Sequence, residues 1–199
     1  SGNNASWLGD RDLEDALQVN RTHNATILEF DFTANKTNSV SFEYLFASEQ
    51  YLLSGIGTQC DYTDGFAFLI KEAGTSNPYR NLAVIPGSDI PIKSNTVRGS
   101  GGLCPAINAQ YFGQYNPYES PTNFNGQTKI LTAITDIIPG VKYHLKLVIA
   151  DEGNALYDSV VFLKAGSFVG LKDLGPDLVI SSQTALCKGS TTQLNASIP

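Results

Sequence analysis

Three groups of acidic residues lie beside turn-forming residues, and their oxygen atoms are of the kind that hold a hard metal ion. They occupy positions 48–50, 61–65 and 151–158, next to stretches in which apolar and polar residues alternate. Ca²⁺ prefers about six to eight oxygen ligands from carboxylates, amides, backbone carbonyls and water. Loops at one end of a β-sandwich can bring such oxygens together from distant parts of a chain. We therefore predict a Ca²⁺ site formed by Glu49, Asp64, Asp151 and Asp158, with further contributions from Asp61, Glu152 and Asn154.

The same residues also have a simpler explanation. Asp and Asn are common in turns because their side chains hydrogen-bond the nearby backbone and tolerate left-handed conformations. The spacing matches neither an EF-hand loop nor a calcium-binding nonapeptide repeat, so the prediction rests on composition and position. Gly153 strengthens the third group because it permits a tight turn.

Catalysis is a weaker interpretation of these carboxylates. Glu49 with Asp64 or Asp151 would supply the acid and base of a glycosidase. However, nothing in the sequence places one carboxyl group in an apolar pocket and the other in water. Motifs of serine hydrolases, zinc proteases, P-loop proteins and dinucleotide-binding proteins are also absent. We therefore expect a binding protein rather than an enzyme.

Aromatic and amide residues are interleaved between positions 108 and 125. Aromatic faces beside amide groups suit contact with a glycan or a peptide. The predicted contact residues are Tyr111, Tyr115, Tyr118 and Asn123. The alternative is that these aromatic side chains close an open end of the hydrophobic core.

The elements that must position these residues are mostly strands. Alternation of apolar and polar residues predicts seven strands, at 26–33, 40–47, 65–71, 81–85, 129–135, 143–150 and 159–165. Helical spacing occurs only at 8–19, where Asp10 or Asp12 is a candidate N-cap. Many strands with one short helix indicate an all-β, jelly-roll-like sandwich.

The charge balance restricts the class of partner. The chain has 13 Lys and Arg against 19 Asp and Glu, a formal net charge of −6. Nucleic acid binding requires a basic surface, so we expect no nucleic acid partner. No run reaches the roughly 18 apolar residues that a membrane-spanning helix needs, so we expect no direct membrane insertion.

The three cysteines are Cys60, Cys104 and Cys187. Cys60 and Cys104 lie in polar, Gly-rich segments, and we predict a disulfide between them, with two free thiols as the alternative. It would stabilise the fold by about 4 kcal/mol on the chain-entropy model. It would also secure the residues 87–127, a long stretch without clear periodicity. Cys187 would then pair with a cysteine beyond the printed sequence.

The pattern changes near position 170, which predicts a domain boundary. Residues 1–170 form one predicted sandwich domain. Residues 171–199 contain two short strand patterns, too few for a closed sandwich, and are predicted to open a second β-domain of a longer chain.

Ordered segments of the sequence resemble the choice-of-anchor L domain. They are LFASEQY at 45–51, DGFAF at 64–68, NLAVIPG at 81–87, SNTV at 94–97, LTA at 131–133, YHLKLVIAD at 143–151 and YDSVVFLKAGSF at 157–168. The resemblance covers about 8–168. It departs from the usual pattern at Gln50 and Thr63, where the family has possible ligands.

The resemblance implies an extracellular domain of Bacteroidetes surface proteins, typical of type IX secretion substrates and often followed by immunoglobulin-like or PKD-like repeats. It implies that Cys187 is one half of an inter-sheet bridge of such a repeat. Our leading hypothesis is a Ca²⁺-stabilised adhesin module that contacts a glycan or protein on a surface. The alternative is a structural spacer in a surface filament or gliding-motility adhesin.

Overall fold

The chain folds into two antiparallel β-sheets that pack face to face. The computed structural model describes residues 7–55, 57–153 and 157–171. One sheet has the order β1-β8-β3-β4, and the other is built around β2. The strands are β1 (Thr22–Thr33), β2 (Ser39–Ser48), β3 (Gly65–Glu72), β4 (Arg80–Asn81), β5 (Phe112–Tyr115), β6 (Gly126–Thr128), β7 (Leu131–Asp136), β8 (Lys142–Glu152), β9 (Ser159–Leu163) and β10 (Val169–Leu171). The predicted all-β sandwich is confirmed.

The second sheet has different neighbours on the two sides of β2. Tyr44 of β2 pairs with Leu131 of β7 and with Leu163 of β9, so β7 and β9 lie on opposite sides. β10 continues the side of β9, while β6 and β5 continue the side of β7. Leu28 of β1 and Leu163 of β9 line the same cavity, so these two strands lie on the same side of the sandwich.

Aromatic side chains fill the space between the sheets. Phe42, Tyr44 and Phe46 alternate along β2 and face Phe66 and Phe68 of β3. The Tyr44 and Phe68 ring centroids are 4.8 Å apart in an edge-to-face arrangement. Such contacts add to the burial of apolar area, and they hold the sheets in a fixed relation.

The predicted helix is shorter than its pattern and is anchored to the first sheet. Helix α1 spans Arg11–Leu17, and Asp10 is its N-cap, with Oδ1 accepting the Leu13 amide at 2.9 Å. Lys146 of β8 donates to Asp10 and Asp12 at 2.6 and 2.7 Å. The buried lysine is therefore paired with two carboxylates, and it ties the helix to the sheet.

The polar segment 87–127 is held in place by the core and by a disulfide. Cys60 and Cys104 are bonded, as predicted, with their Cα atoms 5.6 Å apart. Ile92 and Val97 are fully buried although their neighbours are polar. Arg98 donates to the Cys60 and Ser94 carbonyls and so supports the same region.

Six of the seven predicted strands correspond to strands of similar extent. The predicted strand 81–85 is wrong beyond its start, because β4 has only two residues and the chain then turns at Ile85–Ile90. The short strands β5, β6 and β10 were not predicted. The predicted second domain, 171–199, lies outside the described residues except for Leu171.

Candidate functional site

The three predicted acidic groups meet at one end of the sandwich. Thr22 of β1 pairs with Glu152 of β8 in one sheet, and Ser48 of β2 pairs with Ser159 of β9 in the other. Asp64 hydrogen-bonds both Glu152 and Ser159, so these strand ends lie together. The loop before β3 carries Asp64 to the same end. We call this set of carboxylates the acidic rim: Glu49, Asp64, Asp151, Glu152 and Asp158.

Asp64 is the central residue of the acidic rim. Its side chain is buried, with the residue only 1% exposed. Oδ1 accepts the Glu152 amide at 3.2 Å, and Oδ2 accepts the Ser159 hydroxyl at 3.2 Å. Burial raises the pKa of Asp64 to about 7, and the negative charge of Asp151 adds to this rise. Asp64 therefore takes up a proton at a much higher pH than an exposed aspartate does.

Glu49 joins the loop after β2 to the loop before β9. Its Oε2 accepts the Asp158 amide at 2.9 Å, and its own amide donates to the Asp158 carbonyl at 3.0 Å. The hydroxyl groups of Ser48 and Ser159 hydrogen-bond each other at 2.8 Å beside this pair. The rim is thus a network of hydrogen bonds between loops that are more than 100 residues apart in sequence.

Asp151 is held by a residue that the sequence analysis did not identify. Asn24 donates to its Oδ2 at 3.1 Å. Asn24 has φ +54° at an irregularity in the register between β1 and β8, a conformation that Asn tolerates better than most residues. Burial raises the pKa of Asp151, and the charge of Asp158 contributes to the rise.

The remaining predicted ligands have different positions. Asp61 is exposed, and its charge acts on Arg98. Asn154 lies outside the described residues. Gly153 has φ +77°, as expected for a tight turn after Asp151. Among the described residues, no group of three or more His, Cys, Asp or Glu side chains has the arrangement of a formed metal site.

Two buried oxygen atoms beside the rim lack hydrogen-bond partners. They are Oε1 of Gln50 and Oγ1 of Thr63, which directly follow Glu49 and precede Asp64. A buried polar atom without a partner costs roughly 1–3 kcal/mol. The positions that depart from the family pattern therefore still offer oxygen atoms, and these suit a hard cation.

The aromatic and amide segment is connected to the rim through Asn125. Its side-chain amide donates to the Glu49 carbonyl. Asn116 is buried and donates to Thr122, Phe124 and Gln127, so it holds the loop together from within. We call residues Asn116–Asn125 the amide loop.

The predicted contact residues divide into two pairs. Tyr111 and Tyr115 pack against the core, and the Tyr115 hydroxyl donates to the Gly99 carbonyl at 2.9 Å. Tyr118 is 96% exposed with φ +68°, and Asn123 is also exposed. Only Tyr118 and Asn123, both in the amide loop, therefore offer a free surface to a partner.

The sequence analysis missed Asn24, Asn116 and Asn125 as organising residues. An Asn inside the apolar alternation of β1 is an unusual choice, which is a usable signal. Asn125-Gly126 is a turn dipeptide and was also visible. Nothing in the local sequence indicates Asn116, because its role depends on side chains six to eleven residues away.

Many cell-surface domains are two-sheet sandwiches with loops clustered at their ends. The described part of the chain has no helix long and apolar enough to span a membrane. Residues 1–169 match the family described as the choice-of-anchor L domain, and the chain belongs to this family. Membership indicates an extracellular, surface-associated module of a multidomain protein. Neither the curated proteins nor the solved structures contain a match.

Proposed function

We propose that this chain is an adhesin-type binding domain in which Ca²⁺ at the acidic rim fixes the amide loop for contact with a glycan or a protein. The observation that carries the proposal is the burial of Asp64 among carboxylates from three separate loops. None of the ion pairs of the described residues involves Glu49, Asp64 or Asp151. A divalent cation would supply the missing positive charge.

A bound ion would restrict the position of the amide loop through Glu49. Its side chain would share the ion, while its carbonyl already accepts from Asn125. Fixing Glu49 would therefore fix one end of the loop that presents Tyr118 and Asn123. An aromatic side chain held in advance loses little conformational entropy when it binds a partner.

Calorimetric titration with Ca²⁺ tests the ion. We expect saturable binding by the wild type and at least a tenfold weaker affinity for Asp64→Asn, which has nearly the same shape. Asp89→Asn is the matched control because Asp89 is exposed in the turn before Ile90. Should Asp64→Asn fail to fold, Asp158→Asn gives the same comparison. Absence of binding at millimolar Ca²⁺ would contradict the proposal.

A glycan array together with a whole-cell adhesion assay tests whether the amide loop binds a glycan or a surface protein. Reproducible binding should be lost in Tyr118→Ala and retained in Tyr115→Phe, which removes only a buried hydroxyl contact. If the wild type contacts no glycan or cell surface, the domain is a structural spacer of a filament or gliding adhesin. Turnover of a polysaccharide that is lost in Glu49→Gln would instead indicate an enzyme.

The route of secretion is a smaller part of the proposal. The family resemblance favours export by the type IX system as part of a longer chain. Export that persists in a strain lacking this system would contradict it.

A further inference from the structure

An apolar groove runs along one side of the sandwich, between β1 and β9. It comprises two adjoining cavities of about 390 and 260 Å³, and Leu28, Leu147 and Leu163 line both. The first cavity begins at Ser159, beside the acidic rim. The second ends at Phe168, whose ring lies 5.9 Å from that of Phe30. We call this feature the open groove.

The floor of the open groove is buried but its walls are not. Phe66 and Phe68 form part of the floor and are fully buried. Leu28 and Leu163, which form the opposing walls, are 55% and 46% exposed. Inward-facing leucines in a sandwich are normally covered by a neighbouring strand. Within the described part of the chain, no strand covers this apolar surface.

Both walls present the edge of a sheet. From Thr26 to Thr33, β1 pairs only with β8 among the described residues, and β9 pairs only with β2. An unpaired edge carries backbone donors and acceptors that accept an added strand. Both β1 and β9 begin at the acidic rim, so their directions agree. A strand that runs toward the rim is antiparallel to both.

The charges at the two ends of the groove differ. The rim end carries the five acidic side chains of the acidic rim, of which Glu49, Glu152 and Asp158 are the less buried. At the other end, Lys164 is already paired with Glu43. The described residues therefore place a cluster of acidic side chains at the rim end and a paired lysine at the other end, so the groove attracts positive charge at the rim end.

From these features, we infer that the open groove binds an extended segment of another protein chain by strand addition. The segment lies antiparallel to β1, places alternate apolar side chains over the groove and carries Lys or Arg at its carboxyl end beside the acidic rim. Antiparallel pairing is the more stable arrangement and sets the position of the basic end. This surface is separate from Tyr118 and Asn123, so the inference goes beyond the proposed function and does not require a bound ion.

The probe is a labelled synthetic peptide of eight residues in which Val alternates with Thr and two Lys residues end the chain. Fluorescence anisotropy with the full chain should give saturable binding below about 1 mM, in EDTA and in Ca²⁺ alike. A peptide with the two Lys residues at its amino end should bind at least tenfold more weakly. A peptide of the same composition without alternation should not bind.

Two variants locate the binding. Leu163→Glu puts a charge on the groove wall and should weaken binding at least tenfold. Ile134→Glu is the matched control, because Ile134 is exposed on β7, on the other side of β2. Persistence of binding in Leu163→Glu, or failure of the first peptide to bind, would overturn the inference.

Two other results would also overturn the inference, because each would show that something else occupies the open groove. Dimerisation of the chain that Leu163→Glu abolishes would identify a second copy as the occupant. Failure of the peptide together with a larger loss of stability in Leu163→Glu than in Ile134→Glu would identify a segment of the same chain. A failure of Ca²⁺ binding leaves the inference intact, since the peptide is tested in EDTA.

Discussion

The acidic rim and the open groove are built by the same strands but differ in how their side chains are satisfied. At the rim, polar groups from distant loops are joined by hydrogen bonds within the chain, as between Glu49 and Asp158. In the groove, apolar groups such as Leu28 stay partly exposed. Ser159 belongs to both, since it donates to Asp64 and lines the groove. The loops of the rim are therefore joined by hydrogen bonds within the chain, whereas the apolar surface of the groove stays partly in contact with water.

The largest effect should come from the disulfide that supports the rim. Replacing Cys60 and Cys104 together by Ser should lower the free energy of unfolding by about 4 kcal/mol, because the bond closes a loop of 44 residues. The loss should also weaken Ca²⁺ binding, since Cys60 is close to Asp64 in sequence. Urea unfolding measures the change, and a loss under about 1 kcal/mol would show that the rim does not depend on the bond.

The groove predicts a contrast between two leucines. Leu145→Ala should lower the free energy of unfolding by about 3 kcal/mol, because Leu145 is 2% exposed and leaves a cavity. Leu28→Ala should lower it by less than about 1 kcal/mol, because Leu28 is largely in water. Equal losses in thermal or urea unfolding would mean that the groove is covered in solution.

A further effect should be a pH dependence that comes from Asp64 of the rim. The pKa of Asp64 is raised to about 7 in the folded chain, above its ordinary value of 3.8. Between these values the folded state binds the proton more strongly than the unfolded state, so stability falls as pH rises from about 4 to 7. When urea unfolding is measured in EDTA, the stability of Asp64→Asn should lack this fall between about pH 4 and pH 7. Identical pH profiles for the two proteins would contradict the assignment.

The sequence was sufficient for the sheets and for the acidic groups. Alternation identified β1, β2, β3, β7, β8 and β9, and the strand ends brought Glu49, Asp64 and Asp151 together as expected. Two-residue and three-residue strands such as β4 and β6 carry too few residues for a periodic signal. Their position depends on pairing with distant strands.

The limits of prediction differ between the two regions. Asn24 stands out within β1, but its position alone does not reveal its bond to Asp151 of β8. The role of Asn116 depends on its contacts with residues six to eleven positions away. Alternation in β1 placed Leu28 and Phe30 on one face, but it could not show that this face would remain open. The exposure of Leu28 and Phe30 depends on which strands pack beside β1, and the sequence of β1 does not contain that information.

Thermal unfolding in EDTA and in millimolar Ca²⁺ at neutral pH tests the rim most directly. If Ca²⁺ binds the folded chain at about one hundred times its dissociation constant, the stabilisation is about 2.7 kcal/mol. The midpoint should then rise by about 5–10 °C in the wild type and stay constant in Asp64→Asn. The same midpoint in both solutions for the wild type would contradict a calcium-stabilised rim.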